Sequence, residues 1–129
     1  MDITSLMYSK ELTILIKDQI ENVKNNIIGI EFRKLEMLEE KNYWIERVKN
    51  LKERYKRDKK LESINKKLIY VGKNMIKMCM MGTKRLDSHK ISFKSQIPKL
   101  TEKLNICQGI YEKLSKEWEE QLKGKSTKI

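Results

Sequence analysis

One proline and five glycines among 129 residues leave few places where a helix is obliged to stop. Lys, Glu, Leu, Ile and Met dominate the remainder, so the chain reads as mainly α. Aromatic residues make up only 7% of it against 36% charged, which predicts the thin core of long paired helices instead of a thick globular one. No apolar run approaches the roughly 18 to 20 residues needed to cross a bilayer, and the opening MDITSLMYSKEL is too polar for a signal peptide. Cys79 and Cys107 are the only thiols and have no CxxC spacing. A soluble protein of a reducing cytoplasm, without membrane contact, is therefore expected.

The chemistry-bearing residue types are equally sparse. His89 is the sole histidine, which excludes HExxH and any two-His metal site. In Asp87-Ser88-His89 the neighbours would point apart in a turn, so no triad can be built from them and His89 reads as an exposed turn residue. Glu36 and Glu40 share a helix face at i,i+4, and Glu117, Glu119 and Glu120 also cluster, but neither group has a third or fourth ligand type beside it. There is no GxxxxGK[ST] loop and no GxGxxG. No cofactor, no metal and no enzymatic activity are expected.

What the chain has in excess is positive charge, and it is localised. Residues 41–99 hold 18 Lys and Arg against five acids, so the formal +11 of the whole chain belongs to its middle. A polarised field on a helical scaffold points to binding before catalysis.

Along the chain, residues 9–81 read as helical. Trp44, Val48, Leu51 and Tyr55 fall on one stripe at 4-3-4 spacing, and the stripe drifts between Gly29 and Leu38, as at a stutter or bend. A second heptad starts with Leu61, Ile64, Leu68, Val71, Met75 and Met78. Between Tyr55 and Leu61 the register breaks. Either a turn at Asp58 folds two helices into a hairpin, or one helix runs through, which the i,i+4 pairs Glu53–Arg57 and Glu62–Lys66 favour.

Gly82 stands where a C-terminal cap would. Residues 83–95 then alternate apolar with polar around Asp87-Ser88-His89-Lys90, as a small β-hairpin would, with the cluster Met75 to Met81 and Cys79 as filler beneath it. Pro98 is expected to open a C-terminal helix over 98–123, whose Leu100, Leu104, Cys107, Tyr111, Leu114 and Trp118 make an amphipathic stripe. Cys107 reads as a small buried hydrophobe.

A basic helix carrying Lys59-Lys60-Leu61, Ile64, Leu68 and Met75, ended by Gly82 and followed by Lys84-Arg85, a polar turn, Ile91-Ser92-Phe93-Lys94-Ser95 and Pro98, resembles the siphophage coiled-coil proteins related to the Gam host-nuclease inhibitor. The resemblance covers about residues 59–98 and carries over no individual functional residue. It implies a phage or prophage protein with paired coiled-coil helices and a small sheet, acting in the host cytoplasm at DNA ends or against host nucleic-acid enzymes.

The expected architecture is a single elongated domain over 1–129: an elongated helical hairpin or coiled-coil bundle with a β-hairpin insertion at 83–95, dimerising through its leftover seams. The expected interface is cationic. Lys49, Lys52, Lys56, Lys59 and Lys60 share one arc of a helical wheel, flanked by Arg54 and Arg57, and Lys84, Arg85, Lys90 and Lys94 extend the surface from the hairpin. Lysines along a rod suit phosphates contacted without base readout. Nucleic acid, DNA or RNA, is the favoured partner, with an acidic host protein as the alternative.

Overall fold

The computed structural model describes residues 3–57 and 62–127, and every one of them is helical. Helix α1 runs from Ile3 to Arg57 and helix α2 from Glu62 to Thr127. No helix among the described residues is long and apolar enough to cross a membrane. The chain divides into two compact units, one made by Ile27–Ile91 and the other by Met1–Asn26 with Ser92–Ile129.

In the unit Ile27–Ile91 the two helical segments run antiparallel. Lys90 pairs with Glu31, Lys34 with Asp87, and Tyr55 with Glu62, so one residue number climbs as the other falls. The chain therefore reverses between Arg57 and Glu62, the hairpin alternative and not the single through-helix. The expected turn residue Asp58 lies outside the described residues, as do Lys59, Lys60 and Leu61.

The seam of this unit takes from α1 the buried or half-buried Ile27, Ile30, Lys34, Met37, Lys41, Trp44, Val48, Leu51 and Tyr55. These keep a 3-4 spacing with no stutter after Gly29. The drift expected there arises because Lys34 and Lys41 occupy seam positions and interrupt the apolar pattern. From α2 the seam takes Asn65, Ile69, Gly72, Ile76, Cys79, Thr83, Leu86 and Lys90. The heptad expected at Ile64, Leu68, Val71, Met75 and Met78 is thus displaced by one residue, and Ile64, Leu68, Val71 and Met78 are exposed. Gly72 shows the reason. A Cβ added to it would sit 2.5 Å from Val48 Cγ2, so the helices meet where the side chain is missing, not where Val71 is.

No strand occurs among the described residues, and the β-hairpin expected at 83–95 is continuous helix. Its alternating pattern was misleading because the seam through it runs Thr83, Leu86, Lys90, Phe93, with two polar members. The hydroxyls that resemble turn formers bond within the helix: Thr83 Oγ1 donates to the Cys79 carbonyl at 2.9 Å, Ser88 Oγ to Lys84 at 3.2 Å, and Ser95 Oγ to Ser92 at 2.7 Å. Gly82 is no cap. It has no left-handed backbone and lies in mid-helix beside Met37, whose Cε would be 2.8 Å from an added Cβ. Pro98 also lies inside α2 and starts nothing. With no hairpin above them, Met78, Met80 and Met81 are exposed, and only Cys79 of that cluster is buried, where burial pushes its thiol up.

The other unit repeats the pattern separately. Ser9, Thr13, Ile16, Ile20 and Val23 are its buried α1 residues. Ser9 Oγ donates to Leu6 at 2.9 Å and Thr13 Oγ1 to Ser9 at 2.8 Å, so these polar side chains enter the seam already bonded. Phe93, Ile97 and the expected stripe Leu100, Leu104, Cys107, Tyr111, Leu114 and Trp118 are half-buried along α2. Their spacing continues the register that begins at Asn65.

Candidate nucleic-acid interface

Given the seam of the unit Ile27–Ile91, the rest of each helix can be assigned. Residues just before seam positions form one flank and residues just after form the other. Tyr43, Arg47, Asn50 and Arg54 of α1 line a groove with Leu68 of α2, all from the preceding flank. Glu31, Leu35 and Leu38 line a second groove with Met80 and Lys84, all from the following flank. Antiparallel packing thus places like flanks side by side.

The following flank is strongly cationic near the chain reversal. From α1 it carries Lys49, Lys52 and Lys56, one position after Val48, Leu51 and Tyr55. From α2 it carries Lys66, Lys73 and Lys77, one position after Asn65, Gly72 and Ile76, with Tyr70 among them after Ile69. All seven side chains are exposed. Glu53 is exposed among these lysines, at i+4 from Lys49 and i−3 from Lys56, and offsets part of their charge, whereas Glu46 lines the groove of the preceding flank.

Glu62, in the first turn of α2, is engaged. Tyr55 donates its hydroxyl to Glu62 Oε1 at 2.7 Å, and Lys66 Nζ lies 3.2 Å from the same oxygen. These contacts hold the Glu62 carboxyl below its ordinary range, the Tyr55 hydrogen bond most and Lys66 next. Lys66 is correspondingly raised, first by its hydrogen bond to Glu62, and lies 5.7 Å from the centre of the Tyr55 ring. The cluster ties the last turn of α1 to the first turn of α2.

The structure sorts the expected interface residues. Lys49, Lys52 and Lys56 stay together on one flank, while Arg54 lies on the opposite one and Arg57 is exposed at the end of α1. Lys59 and Lys60 lie outside the described residues. Lys84 shares the following flank but sits about 27 Å along α2 from Lys66, at 1.5 Å per residue, in the groove with Leu35, Leu38 and Met80. Arg85 is exposed on the other flank. Lys90 is a seam residue committed to Glu31. Lys94 belongs to the other unit. These four therefore do not form one hairpin surface, because the hairpin that would have gathered them is helix.

Lys66, Lys73, Lys77 and Tyr70 were missed by the sequence reading. The signal was present, since stepping back from Leu100 by alternate threes and fours reaches Gly72, Ile69 and Asn65. Elsewhere, His89 is an exposed residue of α2 and not of a turn, and among the described residues no three His, Cys, Asp or Glu side chains gather as a metal site would need.

No family model matches the chain, and no curated protein and no solved structure is detectably similar to it.

Proposed function

We propose that this protein binds nucleic acid without catalysing a reaction, docking phosphates on its lysine flank and so blocking or organising access by other enzymes. The observation that carries this reading is the convergence of Lys49, Lys52 and Lys56 with Lys66, Lys73 and Lys77 on one edge, where these cations outnumber Glu53 and a Glu62 already engaged by Tyr55 and Lys66. Lysines bind phosphates as point charges and do not read base edges, so affinity should be indifferent to sequence and should fall as salt rises. Fluorescence anisotropy with unrelated oligonucleotides in graded salt tests it. Each of Lys52→Gln and Lys73→Gln is expected to lower the salt slope by a little under one unit, equally for every sequence. A slope unchanged by both variants would refute phosphate docking on this edge.

A second reading is an inhibitor or adaptor bound directly to an acidic protein. It is favoured by the exposed Leu35, Leu38 and Met80, which continue the flank beside Lys84 and offer an apolar contact that phosphates cannot use. Capture of such a partner that survives nuclease treatment and is lost in Leu35→Lys supports it. A homodimer is compatible with either reading, because Ile64, Leu68, Val71 and Met78 form an uncovered apolar stripe on the other flank of α2. A phage origin and a host-cell cytoplasm rest on the resemblance of residues 59–98 alone, and the strands it implies have no counterpart among the described residues.

A further inference from the structure

Tyr70 is 68% exposed, more than any other aromatic side chain of the unit Ile27–Ile91. On its own helix Lys66 and Lys67 lie one turn before it and Lys73 one turn after, so its ring is framed by cations at i−4, i−3 and i+3. Lys49 and Lys52 approach the same edge from α1. From the structure we infer that this edge takes single-stranded nucleic acid, with a base stacked on Tyr70 and the adjoining phosphates held by the lysines around it. The inference rests on the nucleic-acid reading above and specifies its strand state.

Two physical arguments select a single strand over a duplex. The first is width. Two packed helices present a face about 20 Å across, too broad for a major groove about 12 Å wide, so a duplex could meet this edge only through its outer phosphates. The second is the ring itself. A phosphate backbone gains little from an aromatic surface, whereas the faces of bases become available only when they leave the duplex stack. A positively charged track with an exposed ring in it is the arrangement that binds single strands without sequence preference. Lys66 to Lys77 spans about 16 Å along α2, enough for a few nucleotides on either side of the stacked one.

Stacking and phosphate docking leave different signatures, so one experiment separates them. Labelled oligo(dT) and oligo(U) of about 15 nucleotides, the upper range of such a site, and a duplex of the same length are titrated in graded salt with wild type, Tyr70→Ala, Tyr70→Phe and Lys73→Gln. Circular dichroism confirms that each variant keeps its helix. Tyr70→Ala is expected to weaken single-strand binding about tenfold without changing the salt slope, since no charge is lost. Tyr70→Phe should restore the affinity, and the duplex should be indifferent to both. Lys73→Gln should lower the slope on every probe.

If Tyr70→Ala binds the single strands as wild type does while Lys73→Gln lowers the slope, the stacking inference is overturned and phosphate docking stands. Preference for the duplex overturns it equally. If no probe shows salt-dependent binding, the nucleic-acid reading fails and the inference with it. Loss on oligo(U) alone or oligo(dT) alone supports stacking and adds a choice between RNA and DNA.

Discussion

The hydroxyl of Tyr55 donates to the carboxylate of Glu62 at 2.7 Å, joining the last turn of α1 to the first turn of α2. Because this contact and Lys66 lower the Glu62 pKa, the folded state favours the ionised carboxylate. The stabilisation is fully present above the ordinary carboxyl value of 4.5 and is lost as pH falls through the lowered folded value. Thermal unfolding followed between neutral pH and about pH 2, roughly two units below the Asp and Glu reference values, should show this loss. Glu62→Gln and Tyr55→Phe should each flatten it, and a wild-type acid profile in both variants would mean the contact is not populated.

Gly72 and Gly29 predict opposite outcomes for the same substitution. At Gly72 a new Cβ meets Val48 Cγ2 at 2.5 Å, whereas nothing lies within 4 Å at Gly29. Gly72→Ala should cost about 1 to 3 kcal/mol by overpacking, less up to about 1 kcal/mol of gained helix propensity. Gly29→Ala should stabilise by about 0.5 to 1 kcal/mol. Urea denaturation of the two variants gives the sign of each directly.

Asn65 is only 4% exposed, and its Nδ2 has no hydrogen-bond partner. A buried amide in that state costs about 1 to 3 kcal/mol, so Asn65→Leu is expected to raise stability by that order in the same assay. Buried polar residues at heptad seams also hold register. The more stable variant should accordingly show less uniform assembly by sedimentation velocity.

Helix through 83–95 is tested most simply with proline. His89→Pro should cost about 3 kcal/mol or more, since it removes a helical hydrogen bond and clashes with the preceding turn. A surface turn would accept it at little cost. Conversely, Pro98 sits inside α2 and is exposed, so Pro98→Ala should stabilise by up to about 3 kcal/mol. Chemical denaturation measures both changes.

The apolar stripe Ile64, Leu68, Val71 and Met78 predicts self-association. Sedimentation equilibrium should show a dimer at micromolar concentration, and Val71→Glu should shift it to monomer without loss of helicity. A monomer of 15.5 kDa at all concentrations would remove the dimer.

Composition and local period were enough to read the helical class, the stripes Trp44 to Tyr55 and Leu100 to Trp118, and the basic middle of the chain. Scarce glycine and proline leave helices uninterrupted, and those stripes keep apolar residues at nearly every seam position. Between them the seam was decided by tertiary structure, because Lys34, Lys41, Asn65, Gly72, Thr83 and Lys90 occupy positions that a local pattern assigns to apolar side chains. Lys34 is accommodated by Asp87, Lys90 by Glu31, and Gly72 by Val48, partners distant in sequence that only antiparallel pairing brings near. The same pairing set Lys66, Lys73 and Lys77 beside Lys49, Lys52 and Lys56. Charge density along the chain is a property of sequence, but a face shared by two helices exists only once their register is chosen.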